Sequence, residues 1–94
     1  MAINGMEDFQ RKCRLALCQW YQRNGKEAPS YEQTYVVWCC KTLKNYKCLV
    51  STSLPDTIYA EYTHNGDSGE TYGDAYEKLS NYAYAYNEYP FGEF

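Results

Sequence analysis

Five cysteines, Cys13, Cys18, Cys39, Cys40 and Cys48, and a single histidine, His64, are the side chains of this chain best suited to ligate a soft metal or attack an electrophile. Their spacing argues against a zinc centre. Cys13 and Cys18 fall in a stretch of helical periodicity at a separation that sets them roughly 140° apart around the axis. Cys39 and Cys40 adjoin in a stretch of strand character, so their thiols face opposite sides of a sheet. No Cys-x-x-Cys pair exists to begin a tetrahedral site. An odd number of cysteines, all inside regular structure, reads as reduced thiols, with no cofactor expected and structural zinc the weaker alternative.

Gly66-Asp67-Ser68-Gly69 matches the string around the nucleophile of trypsin-like proteases, where the serine relies on an oriented histidine and an oxyanion hole. The match is accidental here. A chain of 94 residues is too short for that double barrel, and His64 lies four residues before Ser68 in the same turn-rich stretch. Asn65 to Glu70 also places oxygens at alternate positions like the start of a calcium loop, but no loop of about twelve residues closed by a glutamate follows. A hairpin turn accounts for the whole segment. No histidine pair, P-loop, dinucleotide fingerprint or metalloprotease helix occurs, so the sequence predicts a protein that is not an enzyme.

What remains is a surface chemistry. Ser51 to Phe94 holds eight acidic residues and eight tyrosines against one basic side chain, Lys78, whereas Met1 to Val50 holds eight Lys or Arg against four acids. The halves therefore carry about +4 and −7. Carboxylates beside tyrosine rings imitate the phosphates and bases of a nucleic acid, and the residues expected to meet a partner are Asp67, Glu70, Tyr72, Asp74, Glu77, Tyr84 and Glu88. Acidic patches are also commonly plain solvated faces, which is the competing reading.

The elements that must position these groups form one domain, 1–94. From Glu7 to Arg23, Phe9, Cys13, Ala16, Leu17 and Trp20 recur at helical steps, and Asn24-Gly25 ends the helix. Thr34 to Lys41 is a β-branched and aromatic run with apolar residues on both faces, as in a central strand. Lys44-Asn45-Tyr46 turns into a strand from Lys47 to Thr52, and Leu54 to Thr57 turns into another from Ile58 to His64. Glu70 to Tyr72 either pairs briefly as a fourth strand or leads straight into a second helix, capped by Thr71-x-x-Asp74 and running through Tyr72, Ala75, Tyr76, Leu79, Tyr82, Ala83 and Tyr86. The expected fold is α+β: helix, three-stranded or four-stranded antiparallel sheet, helix, with Trp20, Val37, Leu49, Ile58, Tyr76 and Leu79 in one core. Residues 88–94, interrupted by Pro and Gly, read as a tail that is either mobile or a docking peptide. No stretch approaches the length of a membrane span, and no basic leader opens the chain.

Helix, three strands, helix is also the order of the double-stranded-RNA-binding domain, which grips phosphates with lysines at the start of its last helix. Here the equivalent stretch carries Glu70, Asp74 and Glu77, so duplex nucleic acid is expected to be repelled.

Tyr35-Val36-Val37-Trp38-Cys39-Cys40-Lys41-Thr42-Leu43, Ser51-Thr52-Ser53-Leu54-Pro55-Asp56, Asn65-Gly66-Asp67 and Asp74-Ala75-Tyr76 together resemble a family of small uncharacterised proteins of phages and prophages of Gram-positive bacteria. The resemblance covers roughly Glu7 to Tyr82 and transfers no catalytic residue. It implies a phage protein working in the host bacterial cytoplasm as an antagonist of defence, best fitted by an anti-CRISPR protein whose acidic, tyrosine-bearing surface docks on the nucleic-acid channel of a Cas9-type effector. Two alternatives stand beside it. One is a sponge that binds a signal nucleotide, favoured by a basic pocket near Lys41, Lys44 and Lys47; the other is a non-enzymatic regulatory nucleic-acid-binding phage protein. From the cysteine argument, thiol titration of fresh protein in denaturant is expected to return all five groups. A count of one would mean two disulfides.

Overall fold

A computed structural model describes residues 3–92. It is an α+β fold in which one helix lies on a four-stranded antiparallel sheet. Helix α1, Met6–Arg23, carries Glu7 and Asp8 in its first turn, where carboxylates offset the positive end of the helix dipole. Asp8 accepts from the Asn4 backbone N–H, from Lys12 Nζ and from Arg11 Nη2 at 2.7–2.9 Å. These bonds, the Asn4 one foremost, hold its carboxyl well below the usual carboxylate range. At the other end Gly25, at φ +68°, closes the last turn.

A 3₁₀ turn, Tyr31–Gln33, leads into β1, Thr34–Thr42. Arg14 binds that junction to the helix: its Nε donates to Thr34 Oγ1 at 2.8 Å and its Nη2 to the carbonyls of Tyr31 and Thr34, while its guanidinium stacks 3.8 Å from the Tyr31 ring centre. Strands β2, Asn45–Thr52, β3, Ile58–His64, and β4, Thr71–Glu77, follow as a meander in the order β1-β2-β3-β4. The first hairpin turns on Leu43 and Lys44, one residue earlier than expected, and Asn45 already pairs with Thr42.

The core is a seam of helix residues spaced by four, Phe9, Cys13, Leu17 and Tyr21, set against Cys48 and Val50 of β2 and Ile58 and Ala60 of β3. Tyr21 buries its ring and donates its hydroxyl to both Asp56 carboxylate oxygens, at 2.7 and 2.9 Å. Burial, then the bond to Asp56, pushes its pKa up to about 12.

The expected second helix is absent from the described residues. Thr71 to Glu77 instead extends along the open edge of β3, in register from Ile58–Glu77 to His64–Thr71, and residues 78–92 form no helix or strand. Backbone pairing with an unsatisfied edge outcompetes a helix whose first turn would contain Gly73. With no helix there, most of the expected core is displaced. Ile58 is buried and Trp20 packs at the core margin, but Leu79 is 91% exposed and Tyr76 points to the uncovered side of the sheet. Leu49 lies on that same side, and Val37, 44% exposed, sits in a β-bulge between Val36 and Trp38 that takes it out of the ladder. The last two tail residues, Glu93 and Phe94, lie outside the described residues.

Leu17→Ala is expected to cost about 2–4 kcal/mol, whereas Leu79→Ala should stay within about 0.5 kcal/mol, both read from urea unfolding. A second outcome concerns pH. Tyr21 holds its proton more tightly in the folded state than its ordinary value of 10.0 allows, so its stabilisation is complete below pH 10 and is lost as pH rises through about 12. The urea midpoint should therefore fall steeply above pH 10, and less steeply in Tyr21→Phe.

Candidate functional site

The cross-strand register assigns each strand residue to one of two faces. Toward the helix point Val36, Val50, Ala60 and Ala75 in one row and Cys39, Cys48, Tyr62 and Gly73 in the next. The opposite face carries three rows across the whole sheet: Tyr35-Ser51-Tyr59-Tyr76, Trp38-Leu49-Glu61-Asp74 and Cys40-Lys47-Thr63-Tyr72. Among the described residues no helix covers it, and every residue of β4 is exposed. In its middle row, at the β4 edge, Asp74 neighbours Glu61 across the strand pair, with Tyr72 and Tyr76 on either side along β4. Glu61 is partly neutralised by Lys47 Nζ at 3.4 Å, and Asp74 joins no ion pair among the described residues.

Of the residues expected to meet a partner, only Tyr72 and Asp74 share this face. Glu77 lies at the end of β4 opposite Ile58, on the helix side. Glu70 closes the preceding turn, where its carbonyl accepts from Asn65 N–H. Asp67 faces Lys44 Nζ at 3.4 Å. Tyr84 lies in the irregular segment after β4, edge-on to Tyr82 and Phe91, and Glu88 Oε1 accepts from the Ala85 N–H there at 3.2 Å. On a helix Tyr72 and Tyr76 would share a stripe turned to the core; strand geometry instead brings both onto the open face with Asp74 and leaves Glu77 on the other. Tyr35, Trp38, Tyr59, Glu61 and Tyr76 are the site residues that reading missed. Alternation of Tyr72, Asp74 and Tyr76 with the small residues Gly73 and Ala75 is the signal that identifies Tyr76; the other four are brought in by cross-strand register.

The remaining chemical candidates are structural. Asn65 Oδ1 accepts from the backbone N–H groups of Asp67 and Ser68, and Ser68 Oγ accepts from that of Glu70, which makes Gly66-Asp67-Ser68-Gly69 a turn. His64 Nδ1 hydrogen-bonds Thr71 Oγ1 at 2.8 Å with its ring against Phe9 and Tyr46, so it does not serve Ser68. All five cysteines are free thiols. Three converge, which spacing alone did not reveal: Cys39 lies directly across from Cys48, and Cys48 shares the buried core with Cys13. Cys39 Sγ also donates to Met6 Sδ at 3.0 Å. Burial, then the neighbouring Cys48, pushes the Cys39 thiol up to about 12, and the neighbouring Cys13, then burial, raises that of Cys48. Such thiols stay protonated at neutral pH and are poor nucleophiles. Among the described residues no His, Cys, Asp or Glu group is arranged to hold a metal ion. Lys44 and Lys47 each face a carboxylate and Lys41 leans over the Tyr46 ring, so these three do not form a basic pocket.

On the helix side, α1 stops short of β4 and leaves a groove. Its largest part, about 510 Å³, is lined by Phe9, Leu15, Tyr62, His64 and Thr71; the adjoining part, about 390 Å³, lies between Trp20 and Arg23 on one side and Gly73 and Ala75 on the other. Tyr62 forms the floor. Its ring occupies the space where a Cβ on Gly73 would stand, 2.6 Å from Tyr62 Cε1, so glycine at that position is what admits the ring. No helix among the described residues is long and apolar enough to cross a membrane.

Residues 10–86 match a family of unknown function, DUF6275, and the chain belongs to that family. No curated protein and no solved structure matches it.

Proposed function

We propose that this protein is a non-enzymatic antagonist of bacterial defence that docks on a basic protein partner through the open face of its sheet. The observation that carries the reading is the unpaired Asp74 carboxylate beside Glu61, flanked by Tyr72, Tyr76 and Tyr59 on an uncovered β-surface. Tyrosine and tryptophan are the side chains that most often anchor protein interfaces, because they bury large rigid area at little entropic cost. The acids between them select the sign of the partner. A four-stranded sheet with exposed aromatics is also how one class of module stacks single-stranded RNA. Here that role is disfavoured by charge, since Lys47 on the same face already faces Glu61 and Lys78 leans over the Tyr59 ring, beside the carboxylates of Glu61 and Asp74.

The partner we infer is a Cas9-type effector of the host cell, with the carboxylates standing in for phosphates along its nucleic-acid channel. The acidic tyrosine face supports this reading over a nucleotide sponge, because Lys44 and Lys47 are engaged by carboxylates.

The test is inhibition of target cleavage by such an effector, with binding measured in parallel at increasing salt. Affinity should fall as salt rises, and Asp74→Lys should weaken binding at least tenfold, about 1.4 kcal/mol. Added guide RNA should displace the protein. Unchanged inhibition by Asp74→Lys would sink the docking surface, and a nucleotide that co-purifies in place of a protein would establish the sponge.

A further inference from the structure

The two edges of the sheet are not alike. On β1 the ladder is broken by the bulge at Val37, Arg14 already takes the Thr34 carbonyl, and Lys41 stands near the strand's end. Bulges and lysines are the usual means by which an edge is closed to further strands. Strand β4 has neither. It runs seven residues without bulge, proline or basic side chain, and all seven are exposed.

Its free hydrogen-bonding groups can be assigned. Asn65 N–H donates to the Glu70 carbonyl and Lys78 N–H to the Thr57 carbonyl, both at 2.9 Å, at the two ends of an unbroken β3–β4 register. Backbone direction alternates along an antiparallel strand. Even-numbered residues of β4 therefore bond to β3, and Thr71, Gly73, Ala75 and Glu77 direct N–H and C=O outward. The side chains of these four lie on the helix side, next to the groove of about 390 Å³ between Ala75, Gly73 and Trp20. Those of Tyr72, Asp74 and Tyr76 lie on the open face.

We propose that β4 is a docking edge that takes an extended segment of a protein partner, with alternating basic and apolar side chains, as a fifth strand. The inference rests on the docking role proposed above and names its geometry. Basic side chains of the added strand meet Asp74 and Glu61 on the open face; apolar ones enter the groove over Gly73 and Ala75. Charge argues against a second copy as the occupant, because antiparallel self-pairing centred on β4 sets Asp74 against Asp74, each beside Glu61.

A short synthetic peptide of alternating lysine and valine, with a glutamate and valine counterpart, tests this by calorimetry on the full chain. Ala75→Pro removes one outward N–H, bonded to nothing in β3, and so spares the internal ladder. The lysine peptide should bind, the glutamate peptide should not, and both Ala75→Pro and Asp74→Lys should weaken binding by at least about tenfold, 1.4 kcal/mol. Undiminished binding to Ala75→Pro together with loss in Asp74→Lys would overturn strand addition while leaving face docking in place. Indifference to both substitutions would overturn the two together. No binding of the lysine peptide at low salt, equal binding of the two peptides, or self-association abolished by Ala75→Pro would each overturn the proposal. Should Ala75→Pro fail to fold, amide exchange in the native chain decides: the peptide should protect Gly73 and Ala75, and their continued exchange would overturn it.

Discussion

One helix cannot cover four strands. A helix with its side chains is about 10 Å across and neighbouring strands lie about 4.8 Å apart, so α1 seals roughly two strands and leaves the others partly bare. Most features of this protein follow from that mismatch of widths. The buried seam of Phe9, Cys13, Leu17 and Tyr21 is a single file, and the core it makes against Cys48, Val50, Ile58 and Ala60 is correspondingly thin. Arg14 and Tyr21, which tie the helix to the Thr34 junction and to Asp56, reinforce with polar bonds an attachment that apolar area alone supports weakly.

The abundance of tyrosine answers the same constraint. A strand residue on a face with no second layer must tolerate water and still favour extended backbone, and tyrosine does both. Tyr59, Tyr72 and Tyr76 fill that role on the open side. Tyr62, on the covered side, lies over Gly73 and compensates for the missing side chain on the neighbouring strand, so β4 is held by ring-to-backbone packing where helix packing does not reach.

Local pattern was enough to read the helix and the first three strands, because Phe9 to Tyr21 has one clear period and the segments Thr34 to His64 are punctuated by Asn45 and Pro55 and closed by Asn65-Gly66. Thr71 to Glu77 was ambiguous for a definable reason. Tyr72 and Tyr76 are four apart, a spacing that suits both one helical face and one face of a strand, and the cap-like Thr71-x-x-Asp74 tipped the reading toward helix. What decided the matter was the unpaired edge of β3, a non-local demand that no window of sequence contains. The candidate site was legible in composition and in two of its residues, Tyr72 and Asp74; Tyr76 follows on the same strand, and the other members come from β1 and β3, brought alongside only by register. Convergence of Cys13, Cys39 and Cys48 was hidden for the same reason.

The unlike edges of the sheet limit how such molecules can accumulate. A head-to-tail filament of sheets needs two receptive edges per subunit, one to give and one to accept, and growth stops wherever one is blocked. With β1 interrupted at Val37 and β4 intact, each molecule carries a single valence. A strand taken up as proposed extends the sheet at one end while the bulge blocks the other, so the expected product is a one-to-one complex and not a filament of copies of this chain.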